Sequence, residues 1–369
     1  MAWSGAPTAA LERAGLPFRP VDEVLGPEGL AAAEGAARTW ARVWGRLALA
    51  DGKSFRELVE WRGSSLLWSA TTFLLEQTAG PRCARTAEAA LRLLDTTAAV
   101  EVDAPGVDPP DALLLSRACT ARGVLFHGRV DGAGQPLPVR RPAARSGLRR
   151  LLSSALAPAT PPPLPSPVGG AGRGAPAVLA LVGSGAERDR LGPLLKSAAE
   201  RLDRAVTPVS LDDLPRWETR AACRSIGEAE ALLRERHARL SDTPGVAASY
   251  AHRGVSFADL AAGDIEALLL GSLPAAVRRL EASLVLLASA RPTVVLLALD
   301  GRDERRSLLH ACSAAGTEAV VVRRTSAGDV DRADGGPQPA AVCDWEPGRD
   351  PGAVVDALRE AARGRVGSG

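Results

Sequence analysis

The sequence predicts an α/β protein with two Rossmann-like parallel-sheet units joined by a linker, and three observations predict it. Uniformly apolar runs of strand length, at 177–182, 293–299 and 319–322, alternate with segments of helical period. Pieces of the first half return 193 positions later in the second. Between the halves the texture changes to proline, glycine and arginine.

The first unit, 1–130, opens on a helical segment at 29–49. Leu30, Ala33, Ala37, Trp40, Trp44 and Leu47 recur there at three- and four-residue steps, which places both tryptophans on one core-facing stripe. Helical runs follow at 65–77 and 84–94. Short β-like runs stand at 98–102 and at Val124-Leu125-Phe126. Residues 131–175 read as a flexible basic linker, since a stretch so poor in apolar side chains cannot offset the entropy of ordering itself. Seven arginines stand against the single acid Asp131 between Arg129 and Ala175. Residues 148–157 within it also suit a short basic helix on an anionic surface.

The second unit, 176–324, opens with the strand at 177–182, the turn Gly183-Ser184-Gly185 and a helix at 187–202. A strand at 206–209 and helices at 226–240 and 264–290 follow, the latter interrupted by Pro274. Strand 293–299, helix 307–315 with Gly316 as its cap, and strand 319–322 complete it. The tail, 325–369, predicts a polar loop, a strand at 340–343 and a helix at 350–363.

The repeat supports duplication of one α/β element. Glu88-Ala89, Leu91 and Leu93-Leu94 match Glu281-Ala282, Leu284 and Leu286-Leu287. At the same offset, Ala118-Cys119, Ala121 and Gly123 match Ala311-Cys312, Ala314 and Gly316. Ser54-Phe55 and Leu58 also match Ser256-Phe257 and Leu260 at a different spacing.

Composition narrows the partners. The 45 basic and 43 acidic residues leave a net charge of +2, too even for a nucleic-acid-binding chain, and aromatics at 4% do not furnish stacking platforms. Five separated cysteines without a CxxC predict neither a disulfide framework nor a zinc site, and no cofactor fingerprint is present. No signal peptide or membrane-length apolar run occurs, so the expected location is the cytoplasm.

In an open parallel sheet, ligands bind beyond the carboxyl ends of the strands. That rule selects Gly183, Ser184 and Gly185 after the first strand of the second unit, Asp300 after the middle one and Arg323 after the last. Glycine permits close backbone approach, serine donates a hydrogen bond, and arginine offers a charged fork. In the first unit the rule selects His127, as a base or hydrogen-bond donor, and Gly128. An ordinary strand-to-helix turn and a loop histidine are the plainer alternatives. Cys119 and Cys312 read as small core residues.

Trp61-Arg62-Gly63-Ser64-Ser65-Leu66-Leu67-Trp68 resembles the Gly-x-Ser-Leu-Trp segment of bacterial surface-polysaccharide glycosyltransferases of GT-B architecture. The path from Arg291-Pro292 through Ala311 and Gly316 to Val322 resembles the same enzymes, and Leu125-Phe126-His127-Gly128 resembles their Gln-His-Gly ending. Arg323-Arg324 stand where the second copy of that ending would be. The resemblance implies a nucleotide sugar or nucleoside diphosphate as ligand. Only 45 residues follow Arg324, so the chain is expected to correspond to the acceptor side alone and to act as a degenerate or accessory subunit. The other reading is a non-enzymatic module docking a protein partner or a membrane surface through 140–157.

Overall fold

The computed structural model describes residues 21–50, 52–104, 107–130, 134–139, 157–168, 178–241, 243–298, 302–323, 336–346 and 349–364. The fold is α/β, and the chain forms two compact units. One comprises Met1–Leu58, Thr72–Pro142 and Glu235–Leu270; the other comprises Val59–Thr71, Ala143–Arg234 and Gly271–Gly369.

The first unit contains α1 (Val21–Trp44), α2 (Ala79–Thr97), β1 (Glu101–Asp103), α3 (Pro109–Arg122) and β2 (Leu125–His127). Gly26, at φ 63° and ψ 177°, breaks α1 just before Pro27. Beyond that break, Ala33, Ala37, Trp40, Ala41 and Trp44 are buried on one face, as the spacing predicts. Leu30 and Leu47, expected on that stripe, stay exposed, and Leu47 stands past the helix end. The two tryptophans enter an aromatic cluster with Phe55, Tyr250 and Phe257, ring centroids 4.7–6.3 Å apart.

The Tyr250 hydroxyl is buried in that cluster without a hydrogen-bond partner, and burial together with the nearby Asp264 charge holds its pKa well above the ordinary phenol value. An unpartnered hydroxyl in an apolar site forfeits its hydration. Tyr250→Phe is therefore expected to raise the unfolding free energy by up to about 1 kcal/mol in urea denaturation. A loss of about 1 kcal/mol or more would mean that the hydroxyl is bonded after all.

The second unit contains β3 (Val178–Val182), α4 (Gly185–Leu202), β4 (Val206–Ser210), the first part of α5 (Arg220–Ser241), α6 (Leu273–Ala290), β5 (Val294–Ala298), α7 (Arg302–Ala314), β6 (Glu318–Arg323), β7 (Ala341–Asp344) and α8 (Gly352–Gly364). Strands β3 to β7 form one five-stranded parallel sheet in the order β7-β6-β5-β3-β4. The strands β3, β4 and β5 are buried throughout, and β3 and β5 accordingly read as continuous apolar runs. Val178, Ala180, Val294, Leu296, Val320 and Val322 share a core with Leu194, Leu195 and Ala198 of α4 and Val354, Val355 and Leu358 of α8. The alternate residues Leu179, Leu181, Val295, Leu297 and Val321 are equally buried on the opposite face. Trp345 packs the tail into the first of these cores, and its indole N–H donates to the Arg349 carbonyl at 3.2 Å.

The segment 264–290 is interrupted as its proline predicts. A turn at Asp264–Glu266 passes into a π-turn at Ala267–Ser272, and α6 begins with Pro274 in its first turn. The segment 65–77 differs from the single helix expected. Ser64–Ser65 pairs with Glu60–Trp61 as a hairpin, a 3₁₀ turn covers Trp68–Ala70, and only Thr71–Gln77 is α-helical. Two-residue strands are too short to show alternation, so the hairpin left no periodic trace.

Elements of the two units correspond at a constant interval. β1 pairs with β2 in parallel with Glu101 opposite Leu125, and β5 pairs with β6 with Val294 opposite Glu318, 193 positions later on both strands. Both intervening helices end alike. Gly123 N–H donates to Thr120 and Val124 N–H to Cys119, as Gly316 does to Ser313 and Thr317 to Cys312. Each unit also holds a hairpin against its long helix. In the second unit Trp61 Nε1 donates to Glu281 at 2.7 Å, and Arg62 donates to the same carboxylate through Nε at 2.9 Å and Nη2 at 3.0 Å. In the first, the hairpin of Ala251–His252 and Val255–Ser256 brings His252 Nε2 to Glu88 at 2.7 Å and Arg253 Nη1 at 3.1 Å. Both hairpins turn on an Arg-Gly pair, Arg62-Gly63 and Arg253-Gly254, with positive φ at all four residues. That is the geometry of the tight turns matching strand twist, and it favours glycine in second place.

The predicted linker lies largely outside the described residues. Its described parts make defined contacts within single units: Leu137 N–H donates to Leu260, Val168 bridges Val206, and Pro158 O accepts from Arg220 N–H. Six of its seven arginines, Arg140, Arg141, Arg145, Arg149, Arg150 and Arg173, and the basic segment 148–156 lie outside the described residues, so the docking reading through 140–157 finds no geometry here. Among the described residues no helix is long and apolar enough to cross a membrane.

Candidate functional site at the strand-order reversal

Chain order and spatial order part company once in the five-stranded sheet. From β3 the chain adds β4 on one side, then returns to place β5, β6 and β7 on the other. The reversal lies between β3 and β5. In open parallel sheets such a reversal, with crossovers leaving in opposite directions, is where ligand crevices form, at the carboxyl ends of the two strands.

Of the sequence candidates, Gly183, Ser184 and Gly185 follow β3 at this reversal. Asp300 belongs to the segment after β5 and lies outside the described residues. Arg323 is the last residue of β6, in register with Asp344 of β7. Ser184 caps α4: its backbone is extended, and its hydroxyl accepts from the Glu187 N–H at 3.2 Å. The Glu187 carboxylate folds back over Gly183 so closely that a Cβ there would collide with it. A side chain at 183 would have to displace this carboxylate, so glycine at this position leaves room for Glu187 to lie over the start of α4.

Ser184-Gly185-Ala186-Glu187 follows the capping-box pattern, serine at the cap and glutamate three residues on. This changes the electrostatics expected of a helix N-terminus. The backbone N–H groups there favour an anion, but a carboxylate of the protein already stands in that position. A second anion is repelled, whereas a hydroxyl can donate to the carboxylate while serine and the backbone serve its other lone pairs. The spacing Ser-x-x-Glu was legible in the sequence, and Glu187 is the site residue that a search for glycines and phosphate cradles passed over.

His127 and Gly128 belong to the first unit, at the end of β2. His127 Nε2 meets Glu101 Oε1 at 2.9 Å with both side chains more than half exposed, and Gly128 sits against the Phe126 ring. A solvated pair of this kind contributes little. Exposed as both side chains are, Glu101 does not fix the His127 ring as a buried carboxylate would.

Comparison with protein-family models, curated proteins and solved structures finds no match. The chemistry of the remaining groups therefore rests on their surroundings. His310 is buried in α7 with Nε2 3.0 Å from the Trp61 carbonyl, and burial lowers its pKa. Cys119 and Cys312 are buried, and burial pushes the Cys312 thiol up to about 12, so it stays protonated and unreactive. Among the described residues no group of three His, Cys, Asp or Glu side chains gathers as a metal site would require.

Proposed function

We propose that this chain is a glycosyltransferase-like, carbohydrate-recognising protein built by duplication of an α/β element. Its ligand lies in the crevice at the carboxyl ends of β3 and β5. The strand-order reversal with Gly183 and Ser184 at its edge carries the reading. The constant 193-residue interval in pairing register and helix caps supports the duplication, and the Trp61–Trp68 segment supports the comparison with surface-polysaccharide enzymes. Glu187 sharpens the ligand. Sugar or ribose hydroxyls face the α4 N-terminus, where the carboxylate accepts from them, and any phosphate of a nucleotide sugar points away from it. On this reading the chain is a degenerate relative of such enzymes that keeps nucleotide-sugar recognition.

Titration calorimetry of the full chain against nucleotide sugars, nucleoside diphosphates and free sugars tests this. The expected result is saturable binding of at least one nucleotide sugar, tighter than its nucleoside diphosphate. Glu187→Ala should weaken it about ten-fold, as expected when a charge-assisted hydrogen bond is lost. Absence of binding across the panel, or binding indifferent to Glu187→Ala, would remove the proposal.

A further inference from the structure

The first unit holds a cavity of about 420 Å³ between α1, α2 and the Ala251–Ser256 hairpin. This falls within the range of small-molecule sites. We propose that it is a second binding site, for an organic anion with a flat apolar body, independent of the crevice described above.

Three observations lead there. The wall contributed by α1 is apolar and aromatic, with Trp40 and Trp44 lying 27° from parallel behind Ala36 and the exposed Val43 and Leu47. Large aromatic walls of this kind favour flat faces. The opposite rim is polar and positive. Glu88, only 5% exposed at its side chain, receives His252 at 2.7 Å, Arg253 at 3.1 Å and Arg92 at 2.7 Å. Asp95 answers Arg122 and Arg253. Three arginines against two carboxylates leave this rim net positive. Arg92 and Arg253 remain more than two-fifths exposed at the cavity mouth, free to turn toward an anion.

The third observation separates this rim from mere scaffolding. In the second unit the corresponding clamp closes on Glu281 with an arginine, Arg62, and an indole, Trp61. Trp61 stands in the hairpin where the first unit has His252, and Val285 stands 193 positions after Arg92. The carboxylate–hairpin clamp therefore needs neither His252 nor Arg92. Polar groups at these two positions occur in the unit whose hairpin borders this cavity, and both line it. The head of the ligand lies between Arg92 and Arg253, and its body lies along α1.

The test uses the full chain, with 1-naphthoate as the probe, 1-naphthalenemethanol as its neutral counterpart and decanoate as a flexible anion. Calorimetry and tryptophan fluorescence are expected to show saturable one-to-one binding of naphthoate. The alcohol should bind about ten-fold more weakly and decanoate more weakly than naphthoate. Arg92→Gln should weaken naphthoate about five-fold or more, and Ala36→Trp, which fills the cavity from its α1 wall, should abolish binding. Arg85→Gln and Glu187→Ala should leave binding unchanged, the latter keeping this result distinct from that for the crevice. Failure of naphthoate to saturate, equal affinity for the alcohol, tighter binding of decanoate, or indifference to both cavity variants would overturn the proposal. The two variants act on opposite walls, so misfolding of one leaves the other decisive.

Discussion

The stability advantage of the native chain over Asp264→Asn is expected to fall by about 2 kcal/mol as the pH rises from about 4 to about 7. Asp264 is fully buried and accepts from the Ala79 N–H at 2.8 Å and the Gly80 N–H at 2.7 Å, so it caps α2 from 185 positions away. Thr78, the residue at the cap position, has its hydroxyl committed to the Leu74 carbonyl at 2.5 Å and offers the helix nothing. Gly80 cannot be larger, because a Cβ there would overlap the Trp40 ring. The carboxyl thus sits among aromatic rings. Burial raises its pKa to about 6, against the two N–H bonds that favour its charged form. The unfolded value lies near about 3.9. Between these values the folded state binds more protons than the unfolded one, so stability is fully present at low pH and declines as pH rises toward about 6. The asparagine side chain of the variant has no such proton. Cys83, held at about 12, and Tyr250, held well above its ordinary value, do not titrate in this window. Paired urea denaturation of the two proteins at half-unit pH steps measures the difference. A flat or rising difference would mean that the carboxyl is solvated in the folded state.

How legible this fold was depends on how each element is buried. β3 and β5 are covered on both faces, so every residue is apolar and each strand announces itself. The caps at Gly123 and Gly316 were readable because a left-handed C-terminus selects glycine. β1 and β2 were harder. Among the described residues they pair only with each other, and Leu125 and Val100 are exposed, so apolar content and burial do not coincide. The hairpins escaped altogether, since strands of two residues have no period, although both announce their turns by Arg-Gly.

The candidate site was legible in position but not in chemistry. The rule of strand ends selected Gly183 and Ser184, which follow β3 where the strand order reverses, yet it treats a helix N-terminus as an open anion cradle. Whether it is open depends on the third residue of the helix, and here that residue is Glu187. The Glu88 cluster was missed for a different reason. Glu88 and Glu281 were visible as repeat identities, but their partners lie 164 and 220 positions away. No local spacing joins a helix in one half of the sequence to a hairpin in the other.

That long-range clamp leads to the second large effect: Glu281→Ala is expected to cost about 3 kcal/mol of stability. The Glu281 side chain is 4% exposed and receives three hydrogen bonds from Trp61 and Arg62. Truncation strands the indole N–H and releases the guanidinium, which retains Ser225 at 2.9 Å and its place over the Trp61 ring. Bonds to a buried carboxylate are worth more than neutral ones, and an orphaned donor forfeits its hydration as well. Arg62→Met alone should cost nearly as much, because it leaves the carboxylate buried with the indole as its one remaining partner. The double replacement Arg62→Met with Glu281→Leu should recover at least half of the single loss, since well-packed apolar groups often substitute for a buried ion pair without penalty. Chemical denaturation of the three variants completes the cycle. A loss below about 1 kcal/mol for Glu281→Ala, or simple additivity in the double variant, would show that hairpin and helix hold together by packing alone and that the clamp common to the two units is incidental to their stability.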